Sequence, residues 1–127
     1  MAKANETSPA NDSYILVPGN CADGTHFFAE VELPPASVVR RFGSGRNGDG
    51  FKVSRTWAFR KGGLLFTLYD WKSTGLYDVD MWSPEELWRS DWPFDLHIGS
   101  KDPATKADAQ AFAAYLQKTI SDDAQCD

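Results

Sequence analysis

The segment FKVSRTWAFRKGGLLFTLYDWK, residues 51–72, limits the possible folds more than any other part of the chain. Phe51, Val53, Trp57 and Phe59 share one parity, while Lys52, Ser54, Thr56 and Arg60 share the other. That is the period-two pattern of a strand with one buried face. A second β-rich run follows the turn residues Lys61, Gly62 and Gly63, so the two runs predict an antiparallel hairpin over 51–60 and 64–72. In the second run Leu68, Asp70 and Lys72 lie on one face and Thr67, Tyr69 and Trp71 on the other. Both faces carry apolar or ring side chains, which predicts a central strand. The change from Leu68 to Asp70 and Lys72 is read as one face leaving the core for a rim.

Other elements build around this hairpin. YILVP (14–18) and THFFAEVEL (25–33) read as short strands joined by the turn GNCADG, a first hairpin. PPASVVRRFG (34–43) predicts a short helix with proline in its first turn and Gly43 past its end. SPEELW (83–88) holds the elements of a capping box, with Ser83 as N-cap, Pro84 next and Glu86 three residues on. PFDLHIG (93–99) alternates as a last strand, and Asp102 with Pro103 opens a C-terminal helix whose stripe is Ala109, Phe112, Ala113, Leu116 and Ile120. The expected fold is α+β: a small antiparallel sheet of four or five strands, a C-terminal helix packed on one face and two short helices. Residues 1–12 read as a flexible leader, 13–120 as a single domain and 121–127 as a flexible polar tail.

Charge and cysteine content narrow the function classes. The 127 residues carry a net charge of −5 with both signs interspersed, which argues against capture of nucleic acid through its phosphates. No run approaches the roughly 18 apolar residues of a membrane span. Two cysteines, Cys21 and Cys126, make no disulfide framework, and the expectation is a cytosolic protein with reduced thiols. The stretch GSGRNGDG (43–50) contains G-x-G-x-x-G, but a helix precedes it and a strand follows. That is the reverse of the dinucleotide fingerprint, so it reads as a surface loop and no cofactor is expected.

Aromatic residues are the compositional anomaly, at 13% of the chain, and four of the five tryptophans fall between Tyr69 and Phe94. Tyr69, Trp71, Tyr77, Trp82, Trp88 and Trp92 alternate there with Asp70, Asp78 and Asp80. Rings that anchor and carboxylates that steer suit a protein-binding surface, and equally the rings can close a small core. A second cluster, Asp70, Lys72, Asp95, His97 and Lys101, suits a pocket for a small nucleotide-like ligand, bound or cleaved, provided that the two strands carrying it are neighbours. Asp95 and His97 form an i, i+2 pair in which a carboxylate can orient an imidazole, but no serine or cysteine nucleophile stands near them in a recognisable setting. His26, His97 and the carboxylates Asp70, Asp78, Asp80 and Asp95 lack the spacing of a zinc or calcium site, so no metal is expected.

The segments FTLYDWK, STGLYD, SPEELW and HIGSKD together resemble a group of short proteins from tailed bacteriophages, over roughly residues 51–120. The resemblance brings no activity with it. It implies a phage origin and an accessory role, with a bacterial host or defence protein as the partner, inhibited by binding in the host cytosol. Small-ligand binding is the alternative expectation, and a virion component forming homo-oligomers is the third.

Overall fold

Strand pairing sets the architecture. A computed structural model of the protein describes residues 14–18, 24–47, 52–71 and 81–126. Six strands form one antiparallel sheet: β1 (Ile15–Val17), β2 (His26–Leu33), β3 (Arg46–Asn47), β4 (Arg55–Lys61), β5 (Leu64–Tyr69) and β6 (Phe94–Ser100). The order across the sheet is β1-β4-β5-β6-β2, and β3 pairs with β4 beside β1. Three helices complete the α+β fold: α1 (Pro35–Phe42), α2 (Pro84–Leu87) and α3 (Lys106–Cys126).

The β4–β5 hairpin forms as its alternation predicts, with Trp57 opposite Leu68 and Phe59 opposite Phe66, and β5 is the central strand. The first expected hairpin does not form. β1 pairs with β4 and β2 with β6, at opposite edges of the sheet. Eight-residue β2 matches seven-residue β6 along nearly its whole length and sets Val31 against Leu96 and Leu33 against Phe94, burial that three-residue β1 cannot offer.

One face of the sheet carries the core. Trp57, Phe59, Phe66, Leu68, Leu96 and Ile98 meet Val38 of α1, Leu87 of α2, and Ala109, Phe112, Leu116 and Ile120 of α3. Phe112 lies 5.0 Å from Phe59 and 4.9 Å from Phe66, ring centre to ring centre, and burying a phenylalanine contributes about 2–3 kcal/mol. Helix α3 starts three residues later than Pro103. Thr105 and Asp108 exchange hydrogen bonds as a capping box at 2.9 and 3.2 Å, after a turn closed by Ala104 N–H to the Lys101 carbonyl. It also continues through the expected tail, where Lys118 pairs with Asp122 and Arg41 of α1 reaches Asp123 at 3.2 Å.

The described part of the glycine-rich stretch is structural. The Gly43 carbonyl accepts from the Trp57 indole at 3.1 Å, and a Cβ on Gly45 would sit 2.7 Å from that ring.

Asp70 corrects the expectation of a rim. Its side chain is fully buried and accepts from Ser54 N–H at 2.9 Å, the Ser54 hydroxyl at 2.8 Å and Arg55 N–H at 3.0 Å. Ladder pairing stops at Thr56 opposite Tyr69, and the carboxylate takes the donors that the next rungs would have used. This is why β4 begins at Arg55 rather than at 51. Burial raises the Asp70 pKa above its ordinary 3.8, and the hydrogen bonds from Arg55 and Ser54 oppose that rise.

Asp70→Ala leaves buried donors without acceptors and lowers the free energy of unfolding by about 3 kcal/mol. Asp70→Asn retains an acceptor and costs less than half as much. A carboxyl whose folded pKa is raised stabilises less as pH climbs from 3.8 through the raised value, so the deficit of the Asn variant shrinks across that window. Urea unfolding of the three proteins at several pH values measures both effects.

Candidate functional site

The second face of the sheet holds a pocket of about 630 Å³. Alternation produces it: with Leu68 and Asp70 turned to the core, Thr67, Tyr69 and Trp71 turn the other way. Register then sets Tyr69 opposite His97 and Thr67 opposite Gly99 on β6, and Thr56 of β4 opposite Tyr69. On β2 the pairing shifts between Phe27 and Ala29, an irregularity that brings both His26 and Phe27 to the pocket wall. Thr25 and Val53 complete the lining.

The rings assemble around His97. Phe27 lies 4.7 Å from it, Tyr69 5.7 Å edge-on, and Trp71 6.1 Å with nearly parallel planes. Lys52 Nζ sits 5.6 Å from the centre of the Trp71 ring. Gly99 is required here: a Cβ would meet Thr67 Oγ1 at 2.5 Å and the His26 carbonyl at 3.1 Å. The Thr67 hydroxyl, 1% exposed, has no hydrogen-bond partner among the described residues.

His97 and Tyr69 are uncharged near pH 7. Burial lowers the His97 pKa below its ordinary 6.5, against the pull of Glu30, whose Oε2 lies 3.6 Å from Nε2, and of Asp95. Burial raises the Tyr69 pKa, which keeps its hydroxyl protonated. None of the described lining residues is an Asp, Glu, Lys or Arg. No group of three or more His, Cys, Asp or Glu among the described residues is placed to hold a metal ion.

The structure separates the sequence candidates. Tyr69, Trp71 and His97 line the pocket. Asp70 and Trp88 are core residues rather than surface ones: Trp88 is 3% exposed, packs edge-on against Trp57 at 5.0 Å and donates its indole N–H to Ser54 Oγ at 2.9 Å. Trp82 and Trp92 are exposed, at 46% and 74%, with Trp82 resting 5.5 Å from Phe94. Asp95 is exposed on the face of His97, opposite Glu32, while Lys101 is half-buried near Gly24. The remaining candidates, Tyr77, Asp78, Asp80 and Lys72, lie outside the described residues.

The expected ligand cluster therefore does not converge. β5 and β6 are neighbours, as it required, but Asp70 is on the helix-covered face and His97 on the other. Thr67 and Gly99 were identifiable from the strand parity that marks Tyr69 and His97. Phe27 was not, because its place depends on a long-range pairing and an irregular register.

No protein-family model matches the chain, and no curated protein matches its sequence. These comparisons supply no relative whose function can be transferred. Among the described residues no helix is long and apolar enough to cross a membrane.

A histidine whose folded pKa is depressed contributes stability that is present above 6.5 and lost as pH falls through the folded value. Imidazole NMR titration is expected to place His97 below 6.5. Glu30→Gln removes an upward influence and moves it lower still; an unchanged value in that variant would show that the Glu30 contact does not act on the imidazole.

Proposed function

We propose that the protein works by binding rather than turnover, and that its binding element is the pocket of Phe27, Thr67, Tyr69, Trp71 and His97, which takes a small ligand. The observation that carries this reading is the pocket itself. Its volume of about 630 Å³ falls within the roughly 300–1,000 Å³ usual for small-molecule sites, and its walls are largely apolar with a few placed polar groups. Hydroxyls and the uncharged His97 imidazole suit holding a molecule, and among the described residues no nucleophile with an adjacent base lines the site. The protein purified from a bacterial lysate is expected to show, by native mass spectrometry, a bound species of a few hundred daltons that Trp71→Ala loses. A bare chain, together with no gain in melting temperature on adding a small-molecule extract of that lysate, would refute the reading.

A second reading is favoured by Met81, Trp82 and Trp92, which are 42%, 46% and 74% exposed close together in the chain. Exposed rings of this size are typical anchors for a protein partner. In this reading the chain is a phage accessory protein that captures a bacterial host or defence protein in the host cytosol. Trp92→Ala is expected to weaken retention of one defined lysate protein at least tenfold with no loss of thermal stability. Equal retention by both proteins would remove Trp92 from any such surface.

A further inference from the structure

We infer that the molecule this pocket accepts is an uncharged planar ring with a hydrogen-bonding edge, its face against the wall of Phe27, Tyr69 and Trp71 and its polar edge on Thr67 Oγ1. The inference rests on the pocket reading above and adds the class of ligand.

Three observations select that class. The first is the wall: aromatic side chains attract flat rings through offset and edge-on contacts, and such stacking tolerates many ring systems. The second is charge. An ion moved into an apolar site needs a partner, and none of the described lining residues is an Asp, Glu, Lys or Arg. Around the pocket, Glu30, Glu32 and Asp95 on the His97 face and the Lys52 ammonium over the Trp71 ring oppose one another, so the surroundings favour neither sign of charge on a ligand. The third is Thr67. Thr67 lines the pocket, its hydroxyl is almost fully buried and unpartnered among the described residues, and Gly99 opposite it has no side chain to cover it. A ligand edge that donates or accepts one hydrogen bond satisfies that group. A quaternary ammonium or a plain hydrocarbon ring leaves it as it is.

The test uses isosteric probes that differ in charge: benzamide, benzoate and benzamidine, and separately adenosine with adenosine monophosphate. Binding to the full chain is read by NMR from the Thr67 and Gly99 amides and the Trp71 indole. The uncharged member of each set is expected to bind about tenfold or more tightly than its charged counterparts. Thr67→Val, which keeps the shape and removes the hydroxyl, is expected to fold with unchanged or higher melting temperature and to bind the uncharged probes about tenfold more weakly. A charged member that binds as well as the uncharged one, at these same residues, overturns the ligand class and leaves the pocket reading standing. Undiminished binding by Thr67→Val overturns the role of the hydroxyl. No shift at these residues with any probe refutes the ligand class and counts against the pocket as well.

Discussion

The buried Asp70 carboxylate is the interaction on which the rest of the molecule depends. It stands where the β4–β5 ladder ends and accepts the backbone donors of Ser54 and Arg55 that would otherwise need another rung. Ser54 Oγ then accepts from Trp88, Trp88 packs against Trp57, and Trp57 donates to Gly43. One short chain of contacts thereby joins the central hairpin, the end of α2 and the loop after α1. A buried carboxylate is tolerated only when its lone pairs are filled, and here a hydroxyl and two backbone N–H groups fill them.

The pocket follows from the same constraint. Because Asp70 points to the helices, its neighbours Tyr69 and Trp71 must point away, and Thr67 joins them two residues earlier. β6 pairs in the register that sets His97 and Gly99 beside them. A one-residue slip of β5 would carry the carboxylate into the pocket and the rings into the core, so the bonds that hold Asp70 also fix the pocket's chemistry.

The extent to which the sequence could be read follows from how local each signal is. The central hairpin, paired between Thr56 and Tyr69, the Ser83–Glu86 capping box and the stripe of α3 are short-range patterns, and all are present. The partner of β2 is decided by burial across more than sixty residues, and its own turn sequence says nothing about that. Asp70 was misread for a related reason. A charged residue after an apolar run is usually a strand leaving the core, and only the tertiary donors of Ser54 and Arg55 make the opposite true here. Tyr69, Trp71 and His97 were readable as site residues by type, while the irregular register that supplies Phe27 leaves no mark in the sequence.

The four clustered tryptophans show why composition alone could not choose between a core and a binding surface. Trp88 is in the core because its indole N–H finds Ser54 Oγ and its ring finds Trp57. Trp71 is carried to the pocket by strand parity, and Trp82 and Trp92 remain at the surface. One stretch of sequence thus serves three environments, separated by hydrogen bonding and alternation rather than by hydrophobicity. The acidic residues divide in the same way: Asp70 is consumed by the fold, while Glu30 and Asp95 remain beside the pocket and act on His97 from outside its lining. Among the described residues the pocket is therefore left with ring faces and one unpartnered hydroxyl, and the carboxylates lie in its surroundings.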